Sequence, residues 1–98
     1  MGIIDKIDKI AEKEGMRREE LLSFSLIAYF REKKRMCMED RLKILERYGV
    51  KSAKELEEKI KRGDVKEHPA WEDLITVENL GIRIKEISDD IRTLQETP

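Results

Sequence analysis

Apolar residues along this chain recur in steps of three and four, and no stretch alternates apolar with polar as a half-buried strand would. Ile3, Ile4, Ile7, Ile10 and Ala11 form one stripe of an amphipathic helix, and Gly15 follows at the position where a left-handed residue ends a helix. The pattern predicts a first helix over about residues 3 to 14 and a second from about 18 to 48, ended by Gly49. Ser52 and Glu55 then stand at capping-box spacing, the hydroxyl taking one orphan amide and the carboxylate reaching back for another. A third helix is expected over about 52 to 62, with Gly63 as its stop. Pro69 suits the first turn of a helix, and Glu72 and Asp73 sit near the positive end of its dipole. The fourth helix should therefore cover about 69 to 95. No Asn-Gly or Asp-Gly hairpin turn occurs. The expected class is all-α, four helices in a helical hairpin or bundle, one domain over residues 1 to 98.

Two of these helices carry more apolar surface than a short monomer needs. Leu21, Leu22, Phe24, Leu26, Ile27, Ala28, Tyr29 and Phe30 point in nearly every direction around helix two, and a helix apolar all round is buried on all sides. Either the other helices of this chain wrap it, or it lies at the centre of an oligomer, with Leu22, Leu26, Ile27 and Phe30 as the dimer core. Helix four carries a heptad seam, with Val77, Ile84 and Ile91 at a and Leu80, Ile87 and Leu94 at d. That seam suits either a partner helix or helix two of the same chain in an antiparallel hairpin. The sole tryptophan, Trp71, starts this helix just after the proline, as an interface anchor or as a lid on the local core. In the interaction reading, residues 1 to 50 dimerise and 51 to 98 form a partner-binding arm through Trp71, Leu74, Ile75, Val77, Leu80, Ile84, Ile87, Ile91 and Leu94.

Composition narrows the function classes. Charged residues make up 44%, but 21 lysines and arginines nearly cancel 22 acids, so net charge gives no avidity for nucleic acid or an anionic membrane. The signs are intermixed, as in helices laced with i,i+4 pairs. One asparagine and one glutamine beside many Glu, Lys and Arg match the bias of hyperthermophile proteins. A single cysteine, Cys37, fits a reducing compartment. Asp5 and Lys6 break any signal-peptide pattern, and the longest apolar run, Leu26 to Phe30, is far short of a membrane span. A cytoplasmic location is expected.

Candidate chemistry is sparse. His68 has no second His or Cys at ligand spacing, which leaves it a capping or solvent-facing role. Met36, Cys37 and Met38 are soft ligands, but consecutive helical residues diverge by about 100° and cannot converge on one ion. They read as core filler. Arg31, Lys33, Lys34 and Arg35, with Arg17 and Arg18 beyond, are the candidate nucleic-acid contact, against the alternative of a solvated helix surface. No carboxylate sits in an apolar run that would raise its pKa, and no phosphate loop or nucleophile–histidine pairing is present. No enzyme, cofactor or metal is expected.

Two segments carry a resemblance. Residues 7 to 35, with Gly15, Leu21, Leu22, Ile27 and Phe30 at the matching positions, resemble the two helices of ribbon-helix-helix antitoxins. The DNA-reading strand of that family has no counterpart, since only Met1 and Gly2 precede the helical pattern. The stretch from Tyr48-Gly49-Val50 through His68-Pro69-Ala70-Trp71-Glu72-Asp73-Leu74-Ile75 to Leu80 is similar to small prokaryotic, often archaeal, antitoxin-like proteins, with Val77-Glu78 where they carry Trp-Glu. The resemblance implies a non-enzymatic protein that pairs with itself and neutralises a toxin, often a ribonuclease, by laying helices across it. Its rivals are a nucleic-acid-binding regulator and a self-assembling module.

Overall fold

The Ser52 hydroxyl accepts a hydrogen bond from the Glu55 amide at 3.1 Å, as a helix cap should. The Glu55 carboxylate reaches one residue further out than the capping-box pattern predicts, accepting from the Lys51 amide at 2.9 Å. At Gly15 the chain turns left-handed (φ 68°), and the Met16 amide donates back to the Ala11 carbonyl at 2.9 Å. Gly49 (φ 64°) repeats the device, with the Val50 amide donating to Leu45. Before Pro69, His68 is extended (φ −104°, ψ 126°), the conformation that proline's ring favours in its predecessor.

These local signals divide the chain into four helices in the computed structural model, which describes residues 2–96. They are α1 (Ile3–Lys13), α2 (Arg18–Arg47), α3 (Ala53–Lys61) and α4 (Glu67–Glu96), whose regular turn begins at Pro69. No strand occurs among the described residues, so the fold is all-α. α2 is continuous through Arg31 to Arg35.

α2 and α4 pack along one another as an antiparallel hairpin, and this pairing dominates the tertiary structure. The heptad seam of α4 is what α2 covers. Val77 and Ile87 are fully buried, while Leu80, Ile84, Ile91 and Leu94 are half-buried. For Val77 and Ile87 the assignment to an outside partner is corrected, since the chain's own packing buries them; Leu80, Ile84, Ile91 and Leu94 keep part of their surface. Leu74, also given to a partner, lies in the core with Ile44, Leu45, Val50, Leu56, Ile60, Ala70 and Val77. That cluster sits at one end of the hairpin, where α3 closes over it.

Of the residues predicted for a dimer core, Ile27 is buried within the monomer and Phe30 is half-buried, whereas Leu22 and Leu26 stay exposed. Cys37 is buried as core filler should be, but Met36 and Met38 on either side are exposed. The reason is the divergence already noted: a helix with one neighbour can bury only one of three consecutive side chains.

The result is a long molecule of 60 × 27 × 17 Å. Its radius of gyration is 19.6 Å, against roughly 12.5 Å for a compact chain of this length. No described helix is long and apolar enough to cross a membrane.

Leu56 is fully buried in the α3 end, so Leu56→Ala should cost about 2–5 kcal/mol in urea-unfolding free energy. Gly81 interrupts α4, and a Cβ there would meet only Arg41 Nε at 3.9 Å, an ordinary contact. Gly81→Ala should raise stability by about 0.5–1 kcal/mol in the same measurement.

Candidate protein-interaction surfaces

The hairpin hides one stripe of each long helix and leaves apolar side chains on three others. The first lies on the outer face of α4. Trp71, Ile75 and Ile82 are 37%, 56% and 59% exposed, and helical geometry places them within about 40° of arc. Glu78 falls on the same strip, and Glu72 and Glu86 flank it. Trp71 and Ile75 are the two exposed residues of the predicted arm; Ile82 was not anticipated. Trp71 is thus a partly exposed aromatic at a helix start.

The second surface is the edge of α2 that carries Leu22, Leu26, Tyr29 and Met36, all exposed. Tyr29 packs edge-to-face against Phe30, ring centroids 5.3 Å apart, which fixes its orientation. The third is a groove of about 870 Å³ between α2 and α4, floored by Met38, Leu42, Leu45, Val50 and Ile84 with Gly81 at its wall. Arg35, Glu39, Arg41, Glu46 and Lys51 rim it with both signs of charge.

Part of the charge around these faces is paired within the chain. The Arg35 guanidinium donates to Glu32 at 2.6 and 3.0 Å and to Glu39 at 2.6 Å. These bonds push the Arg35 pKa further up and hold the Glu32 carboxyl below its ordinary range. Arg17 donates through Nε to Glu20 at 2.9 Å. Arg31, Lys33, Lys34 and Arg35 also point to different sides of α2, spread over about 200° of arc. They do not converge on one phosphate-binding face. Lys33 and Lys34 are half-buried and Arg31 lines a smaller hollow with Phe24, Ile27 and Leu94.

At the α3 end, Tyr48 donates its hydroxyl proton to Asp73, and Arg47 stands 3.5 Å from the same carboxylate. Burial, then the Asp73 carboxylate, raises the Tyr48 pKa. Asp73 is thus turned inward as a hairpin clasp and is not part of the acidic outer face. His68 is exposed, with Nδ1 3.1 Å from Glu72. Among the described residues no group of His, Cys, Asp or Glu is arranged to hold a metal ion.

With this geometry in view, the comparison with known families is informative about kinship. A family model described as the Uncharacterized protein MJ0235 family matches residues 1–97. The chain belongs to that family. No curated protein and no solved structure matches it.

Tyr29 and Met36 were not singled out from the sequence, though they stand at heptad spacing with Leu22 and Leu26. Ile82 lies a helical repeat beyond Ile75 but belongs to no unbroken run.

α1 is fastened to α2 by one strong polar contact. Arg18 donates through Nε and Nη2 to the Asp8 carboxylate at 2.7 and 2.6 Å, a bidentate geometry. These hydrogen bonds hold the Asp8 carboxyl below its ordinary 3.8. A depressed folded-state pKa stabilises above the unfolded value and that contribution disappears as pH falls through the folded one. Asp8→Asn should therefore lower the melting midpoint slightly at neutral pH. The gap to the unaltered chain should close as pH is taken below 3.8, read by circular dichroism melts across the pH range.

Proposed function

We propose that this chain is a non-enzymatic protein-interaction module, antitoxin-like in action, which docks the outer face of α4 onto a protein inside the cell. The observation that carries the reading is the strip formed by Trp71, Ile75 and Ile82, apolar, exposed and held on one rigid helix. A tryptophan flanked by aliphatic anchors is the composition of an interface hot spot, where a few residues supply most of the binding energy. An amphipathic helix face laid into a groove is a recurring mode of recognition. Glu72, Glu78 and Glu86 beside the strip favour a partner with a basic cleft, as a ribonuclease toxin has. Inhibition would follow from occlusion, the strip filling the cleft and its acids facing the residues that otherwise hold RNA. Resemblance to antitoxin-like proteins supports that class of partner. The lone Cys37, without a disulfide partner, favours a reducing compartment.

The reading is tested by co-expression with the product of the adjacent open reading frame. The expected result is a stable complex in which the partner's activity is inhibited. Trp71→Ala or Ile82→Glu should weaken that complex by about thirtyfold or more, the effect of losing a hot-spot residue, with helix content unchanged. Calorimetric titration reads this directly. An affinity indifferent to both substitutions would remove the α4 face from the interaction.

A further inference from the structure

The end of the hairpin that α3 does not reach is a single layer of two helices with α1 at its side. Along α2 in that half, Glu19, Leu22, Leu26, Tyr29, Lys33 and Met36 follow one another in steps of three and four. They fall within about 100° of arc. This is a second heptad seam, distinct from the one buried against α4, with Glu19, Leu26 and Lys33 at a and Leu22, Tyr29 and Met36 at d. Its four apolar members are exposed, Tyr29 at 58%.

We propose that two copies of this chain associate antiparallel through this seam, completing a four-helix bundle from two hairpins. Three arguments select a second copy in that orientation. The chain exposes 7371 Å², about 1,500 Å² more than the roughly 5,800 Å² of a compact chain of its 11.6 kDa mass. That surplus is ample for the roughly 800 Å² each partner buries in a stable interface. A net charge of −1 sets up little repulsion between identical chains.

Charge along the seam then decides direction. A parallel pairing would set Glu19 on the second copy's Glu19 and Lys33 on its Lys33. Antiparallel pairing puts Leu26 against Tyr29 and Leu22 against the stem of Lys33, and it brings each Lys33 ammonium within one layer of the opposing Glu19. A single charged residue at an a position is a known determinant of such register. The seam lies on a different helix from the Trp71 face, so this inference does not rest on the partner-binding reading.

Sedimentation equilibrium of the full chain should give twice the 11.6 kDa monomer mass. Tyr29→Glu, and independently Leu22→Ser, should give monomers with unchanged helix content. Lys33→Glu should weaken the dimer about tenfold, and adding Glu19→Lys should restore it, because the pair is then reversed rather than broken. In a parallel dimer Lys33→Glu merely exchanges one like-charged pair for another. A monomer at millimolar concentration, or a dimer indifferent to Tyr29→Glu, would overturn the proposal. A Lys33→Glu defect that Glu19→Lys does not repair would overturn the antiparallel arrangement.

Discussion

Two helices packed side by side can each hide about one stripe, and everything else about this molecule depends on that limit. The stripe of α4 from Val77 to Leu94 is spent against α2, with Val77 and Ile87 fully covered. α2 returns Ile27, Cys37, Ile44 and Leu45 to the same seam. Where a third helix is present the limit is lifted. α3 adds Leu56 and Ile60, and the chain gains its one clustered core. Away from α3, apolar side chains on the flanks of α2, Leu22, Phe24, Leu26 and Tyr29 among them, stay exposed. The elongation of the molecule and its surplus surface are two expressions of that one shortage.

The ends of the helices were legible because they are set by local chemistry. A serine with a glutamate three residues on, a glycine able to turn left-handed and a proline that displaces its predecessor act over a few residues. Each acts where the sequence places it. The pairing of the long helices was not legible to the same degree. Periodicity states that Val77, Leu80, Ile84 and Ile87 share a face; it does not state what lies opposite. The same limit hid the split within the predicted dimer core, where Ile27 turns to α4 while Leu22 and Leu26 turn away. In a segment apolar on all sides, several stripes overlap in the sequence, and only packing separates the filled one from the others.

Electrostatics bears on what the surface can bind. A basic run attracts phosphate when its charges are unpaired and converge. Here Arg35 is held between Glu32 and Glu39, Arg18 is forked onto Asp8 and Arg17 is bound to Glu20. The Arg35 and Arg17 pairs, at i,i+3 and i,i+4, add a few tenths of a kcal/mol each to an exposed helix, whereas the Arg18–Asp8 fork joins α1 to α2. Among the six basic residues of the candidate patch, these pairs engage Arg17, Arg18 and Arg35.

The two proposed contacts are compatible because the hairpin separates them in space. Tyr48 meets Asp73 at one end, Arg41 lies beside Gly81 midway, and Ile27 shares a hollow with Leu94 at the other end. The antiparallel register that these contacts define puts Trp71 to Ile82 beside the last third of α2, beyond Met36. A second copy seated on Glu19 to Met36 would therefore occupy the α1 end and leave the acidic, tryptophan-bearing face of α4 open at the α3 end. It would also display two such faces, one toward each end of the assembly. Each face could then engage its own partner without a clash, and two tethered sites raise the effective concentration of one for the other's target. A chain with apolar surface on one end only would have to choose between pairing with itself and binding something else. Here the closed core, with Leu56, Ala70 and Val77 fully buried, lies at the same end as the proposed α4 face.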